Sequence, residues 1–164
     1  MQVVGRDRMP NLGDRPNLQI IQATIMETLR VGNTSPQTIP HYTLNDTSLS
    51  GYRVPKDTIV LIDLEAMHKD PDIWENPGVF YPHRHLDSEG QLTGDKGNLF
   101  PFGAGRRVCA GEAFAKVKLF MFLASMLQKF TFFAEEGKPP PSIKGSKGLT
   151  LSPLPFKIRA IRRV

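Results

Sequence analysis

The stretch Phe102-Gly103-Ala104-Gly105-Arg106-Arg107-Val108-Cys109-Ala110-Gly111 holds the chain's single cysteine, and its reading decides the rest. A lone cysteine is by default a small buried hydrophobe. Its neighbours change that reading. Gly103 and Gly105 let the backbone turn tightly and come close to a flat ligand. Arg107 sets a fixed cation two residues before the sulfur, suited to a carboxylate. Gly111 lets a helix begin close beneath a planar ring. Cys109 stands at the start of that helix, where orphan N–H groups and the helix dipole favour thiolate.

Moving outward, residues 111–129 form the strongest element. Ala113, Val117, Phe120, Leu123 and Leu127 recur on one face, and Phe114, Met121, Phe122 and Met126 lie elsewhere around it. A helix apolar on most sides is buried in a larger body. Upstream, Leu18, Ile21, Ile25 and Leu29 recur at helical spacing. Asn17 is the expected N-cap, and Gly32 and Pro36 end this helix near Val31. The residues before it, 1–15, read as a polar loop. Short strands are expected over residues 37–44, 48–54 and 58–63, with turns at Asn45-Asp46 and Pro55-Lys56-Asp57. Residues 64–68 suggest a short helix. Asp70-Pro71 and Asn76-Pro77 break the chain, so residues 71–100 are expected to be mostly loop with a helical turn near Trp74. A loop follows Phe133, and residues 149–162 read as two strands around Ser152-Pro153-Leu154-Pro155, a terminal β-hairpin. The fold class is α+β, mainly helical.

Composition narrows the function. One cysteine rules out an intramolecular disulfide, which fits a reducing, cytosol-facing environment. The net charge of +5 suits a solvated basic surface or docking to an acidic partner. Aromatic and basic residues do not interleave as in a single-strand binder, so nucleic acid is not expected. No apolar run is long enough to span a bilayer, and no signal-peptide core is seen near Met1.

The cysteine stretch resembles the haem-binding loop of cytochromes P450. The family's pattern is Phe, two residues, Gly, one residue, Arg, one residue, Cys, one residue, Gly. Phe102, Gly105, Arg107, Cys109 and Gly111 fill it. The resemblance implies haem b as cofactor, with Cys109 thiolate as iron ligand, Arg107 on a propionate, and Phe102 packed near the sulfur. An axial thiolate pushes electron density onto iron and favours O–O cleavage. Taken alone, Glu27 and Arg30 are three apart on one helix face, which is most often a solvated ion pair. Glu27-Thr28-Leu29-Arg30 also matches the family's Glu-x-x-Arg, and Pro82-His83-Arg84 its Pro-x-Arg. The resemblance therefore implies a structural cluster of Glu27, Arg30 and Arg84 that holds the haem loop. His83 and His85 depart from it, since the family has an acid and an aromatic there. A zinc reading of His68, His83 and His85 lacks a fourth ligand and the usual spacing.

Several readings stay double. Ile39-Pro40-His41 is similar to microsomal members, where His41 would reach a propionate; a solvent-facing turn histidine reads the same. Thr38, Ile39 and Leu151 correspond to substrate-lining positions, or simply pack the core. Lys116 and Lys118 are a proximal cationic patch for an acidic flavoprotein, or plain solvated charges. Gln22-Ala23-Thr24-Ile25 and Gly111-Glu112-Ala113-Phe114-Ala115-Lys116 resemble the microsomal group that includes steroid 17-hydroxylases and aryl-hydrocarbon oxidisers. This implies a monooxygenase that takes O2 and a steroid-like or other lipophilic substrate. Its electrons would come from NADPH through a reductase at the endoplasmic reticulum membrane. Residues 1–164 are expected to be the C-terminal haem-binding portion of one P450 domain. The distal helix with its acid–Thr pair, an earlier helix with a propionate-binding Trp and Arg, and the membrane anchor are expected elsewhere. The alternative is a truncated, non-catalytic haem-binding or interaction fragment.

Overall fold

The apolar spacing of Leu18, Ile21, Ile25 and Leu29 becomes one face of helix α1, Gln19–Gly32. That face meets the second long helix in a computed structural model that describes residues 3–94, 97–146 and 148–163. Ile25, Phe120 and Ala124 form the core of this contact, with Leu18, Ile21, Leu29, Met121 and Leu123 packed against it. Asn17 does not cap α1. It closes a 3-10 helix, Leu12–Asn17, in the stretch expected to be loop, and Leu18 takes the N-cap place without a side-chain bond. The cause is a capping box over residues 11–14. Asn11 Oδ1 accepts from Gly13 N–H at 2.8 Å and Asp14 Oδ2 accepts from Asn11 N–H at 2.8 Å. Arg8 grips both oxygens of Asp14, at 2.8 and 2.6 Å, and holds its carboxyl down at about 2. Residues 1 and 2 of the expected loop lie outside the described residues.

Strands β1 (His41–Tyr42), β2 (Thr47–Leu49), β3 (Tyr52–Val54) and β4 (Ile59–Val60) are shorter than the sequence suggests. β1 pairs antiparallel with β4, and β2 with β3. The β2–β3 turn falls at Ser50-Gly51, inside the stretch expected to be a single strand. Both residues have positive φ, 50° and 86°, the left-handed pair that closes a two-residue hairpin with the right twist. Asn45-Asp46 is not that turn; Asp46 accepts from Lys56 N–H and Arg53, tying the hairpin base. Helix α2, Leu64–Lys69, begins where expected, with Asp63 Oδ1 accepting from Ala66 N–H at 2.9 Å.

Beyond α2 the chain is mostly irregular as far as the cysteine loop. A turn holds Trp74 N–H on Asp70 O, and a 3-10 helix spans Pro82–His85. Helix α3, Glu112–Lys129, follows the loop. Only Phe120 and Ala124 of it are buried, while Phe114 and Phe122 are 67% and 63% exposed. Strand β5, Phe130–Ala134, continues straight from α3. Strands β6 (Gly145–Ser146), β7 (Ser152–Pro153) and β8 (Ile158–Arg162) complete the chain.

The terminal hairpin is not formed. β7 pairs with β6, and β8 pairs over five residues with β5. Pro153 and Pro155 have no N–H to give to a partner, whereas Phe130, Thr131, Phe132 and Phe133 offer a β-prone edge of matching length. Among the described residues no helix is long and apolar enough to cross a membrane.

Candidate functional site

The cysteine loop is built from backbone bonds. Gly103 N–H donates to Phe100 O, Val108 N–H to Gly105 O, and Cys109 N–H to Phe102 O at 2.9 Å. Gly103 and Gly105 sit at φ +77° and +68°, where a side chain would strain the turn. Gly105–Arg107 is a 3-10 turn. The loop thus folds back so that Cys109 lies exposed just ahead of α3. Gly111 is the N-cap of that helix, and no side chain caps it. The helix start next to the sulfur is thus left without a side-chain cap, with Glu112 N–H donating to Cys109 O at 3.2 Å. A Cβ on Gly111 would lie 3.8 Å from Cys109 Sγ and fill the space beside it. Arg107 is exposed and has no acidic partner among the described residues. A soft exposed sulfur, bare backbone beside it and a free cation nearby suit a flat, anionic iron porphyrin. The Phe102 ring turns into a cleft of about 270 Å³ with Leu29, Leu99, Glu112 and Phe120.

Glu27 is fully buried and is surrounded by donors. Its Oε1 accepts from Arg30 Nη2 at 2.9 Å, Arg84 Nε at 3.1 Å and Tyr81 N–H at 2.9 Å. Its Oε2 accepts from Arg30 Nε and His85 Nε2, both at 3.0 Å. A carboxylate only accepts, so His85 Nε2 carries the proton. Burial by itself would push the Glu27 carboxyl up. The bonds from His85, Arg30 and Tyr81 N–H and the charge of Arg30 outweigh that, holding it well below the usual carboxylate range. Arg30 also donates to His68 O at 2.7 Å and stacks over Trp74, and Arg84 donates to Glu75 O at 2.7 Å. The cluster thus pins α1, α2 and the irregular segment together.

The sequence model for cytochrome P450 matches residues 1–160. This chain is a member of the cytochrome P450 family. It is 46% identical over 162 residues to cytochrome P450 2U1 of Rattus norvegicus, covering 99% of this chain and 30% of the relative. It is 43% identical over 157 residues to steroid 17-alpha-hydroxylase/17,20 lyase of Squalus acanthias, covering 95% of this chain and 31% of the relative. A zebrafish cytochrome P450 solved with abiraterone superposes with a TM-score of 0.88 at 40% identity, covering 99% of this chain and 37% of the other. The chain thus spans about 30% of the length of the curated relatives it matches.

Seen as part of a P450, the remaining residues fall into place unevenly. His41 begins β1, half-buried, opposite Val60. Thr38 is committed to Ile62: its N–H donates to Ile62 O, and its Oγ1 accepts from Ile62 N–H at 3.1 Å. Ile39 is 71% exposed, so core packing does not account for it. Leu151 N–H donates to Thr34 O at 2.9 Å, four residues before Thr38. Lys116 is paired with Glu112 at 2.5 Å and lies over the Phe102 ring, while Lys118 lies over Phe114. No group of His, Cys, Asp and Glu able to hold a metal ion is found among the described residues. The three histidines of the zinc reading are engaged separately: His85 with Glu27, His68 with Phe100 N–H, and His83 against the Tyr81 ring.

Two cluster members escaped the sequence. His85 stood out only as a departure from the family pattern, yet it is buried and donates to Glu27. Tyr81 takes part through its backbone N–H, which no residue type announces.

Proposed function

We propose that this chain forms the haem-binding face of a haem-thiolate monooxygenase acting on a lipophilic, steroid-like substrate. The observation that carries the proposal is Cys109: an exposed sulfur at an uncapped helix start, beside a glycine and an unpaired arginine. Haem b bound there supplies the cleavage of O2, one atom entering a C–H bond of the substrate and the other leaving as water. The protein's part is to hold and tune. Cys109 would hold the iron through its sulfur, and first-turn N–H groups of α3 would moderate the basicity of that thiolate. Arg107 and His41 take the propionates. Gly105 and Gly111 admit the ring, and Phe102 closes the cleft behind the loop. Glu27, Arg30 and Arg84 keep the loop in register. Residues 1–164 serve as the C-terminal haem-binding portion of a single domain.

Electrons come from NADPH through a flavoprotein reductase that meets the cationic patch of Lys116 and Lys118 at the start of α3, on the cytosolic side of the endoplasmic reticulum. The substrate class is supported by the relatives, among them a steroid 17-alpha-hydroxylase and a P450 solved with progesterone. Ile39, Thr38 and Leu151 are the residues of this chain proposed to contact that substrate. The test is the ferrous carbon monoxide spectrum of the full-length haem-loaded protein. A strongly red-shifted Soret band is expected, and it should vanish in Cys109→Ala. A band that survives the substitution removes Cys109 as ligand and the proposal with it.

A further inference from the structure

His68 is wholly buried at the end of α2, yet a histidine is a poor choice for filling that space. Its Nδ1 has no hydrogen-bond partner among the described residues. An unpaired buried polar atom destabilises a fold, and an apolar side chain of similar size would avoid it. What the imidazole offers is its other nitrogen. Nε2 accepts from Phe100 N–H at 2.9 Å, so the ring is neutral and its proton sits on Nδ1. The same residue's carbonyl accepts from Arg30 Nη1 at 2.7 Å. Phe100 in turn opens the cysteine loop: its carbonyl receives Gly103 N–H, and Phe102 O receives Cys109 N–H.

We infer that His68 is a positioning residue: it transmits the rigidity of the buried Glu27 cluster to the thiolate loop, with its carbonyl on Arg30 and its ring on the Phe100 peptide. Arg84 and Tyr81 anchor the irregular segment upstream, but the link from the cluster to the loop's first peptide is this histidine. Burial, and then the charge of Arg30, push its pKa down to about 4, so the ring keeps its acceptor at neutral pH. A glutamine places an amide oxygen near the position of Nε2, whereas leucine offers no acceptor and asparagine is too short to reach.

The inference rests on the haem-thiolate reading for its functional meaning, though not for its geometry. Both are read in the full-length haem-loaded protein. Hydrogen exchange is measured over the segment from Phe100 to Cys109, with α1 and α3 as references, and the ferrous carbon monoxide spectrum is recorded alongside. In His68→Leu the loop segment should exchange roughly tenfold faster while α1 and α3 change little. The red-shifted population should fall, and His68→Gln should keep both properties. If His68→Leu does not fold, His68→Asn is judged by the same criteria. Unchanged loop exchange, a uniform rise across all three elements, or a glutamine variant as impaired as leucine would each overturn the inference. A Cys109→Ala protein that retains the band overturns the haem reading alone, and the exchange measurement still decides the role of His68.

Discussion

Glu27 takes five hydrogen bonds on two oxygens, and this density decides how the site responds to substitution. Glu27→Gln replaces one acceptor with a donor facing other donors, and leaves the buried guanidinium of Arg30 uncompensated. Removing one partner of a buried pair costs roughly 3–5 kcal/mol. A denaturant titration should read a loss of that size. A loss below about 1 kcal/mol, the scale of a surface pair, would show that the cluster is not holding the fold. Acid acts on two groups at different depths. His68 is neutral in the fold down to about 4, while in the unfolded chain it protonates near 6.5. Between those values the unfolded chain binds more protons, so stability falls as pH drops through that window. A protonated ring has also lost its acceptor for Phe100 N–H. The Glu27 carboxylate, held low, contributes stability that is present above its unfolded value and lost only at still lower pH. Stability measured against pH should therefore decline from about 6.5 toward 4, and His68→Gln should flatten that decline. An unchanged slope in the variant would assign the acid sensitivity to other groups.

At the scale of elements, α2 is short but carries His68, and its start is held by Asp63 Oδ1 on Ala66 N–H and by Pro36 O on Glu65 N–H. Asp63→Ala removes the acceptor for Ala66 N–H and is expected to lower stability by about 1 kcal/mol, read by denaturation, with faster amide exchange across Leu64–Lys69. A silent substitution would mean that tertiary contacts alone fix the helix. The long helices were legible because their apolar residues repeat at the helical period. The strands were less so. In residues 48–54 the Ser50-Gly51 dipeptide is itself a turn signal, which the strand reading passed over and the positive φ of both residues makes plain. β5 was missed because it continues α3 without any breaker, and its partner β8 lies far along the chain. Glu27, Arg30 and Arg84 could be picked out because their residue types and order match a pattern. His68 could not, since its partners are a backbone amide and a guanidinium that no local spacing connects.

For the whole molecule, the unburied side of α3 is the dominant fact. Phe114, Phe122 and Met126 stand exposed on a helix whose opposite side holds the core. Apolar residues exposed together invite association. The chain by itself is therefore expected to self-associate in sedimentation velocity, and Phe114→Glu with Phe122→Glu should restore a monomer. Monomeric behaviour of the unaltered chain would contradict this. Supplied with haem, reductase, NADPH and a panel of steroids, the same 164 residues should consume NADPH without coupled hydroxylation. The chain spans about 30% of the length of its relatives, and coupled turnover needs water excluded and protons positioned on the oxygen side. Product formed in proportion to NADPH would show that the chain is a sufficient catalyst.

The pairing of β8 with β5 also sets a schedule for biosynthesis. A ribosome delivers α3 and β5 before it has made the strand that closes them, so Phe130, Phe132 and Phe133 emerge on an open edge. During that interval the nascent chain offers an aromatic, unpaired strand of the kind that chaperones capture and aggregates recruit. Synonymous codons or stalls between Ala134 and Ile158 would lengthen the interval. They would lower the yield of folded protein while leaving every residue of the finished molecule unchanged.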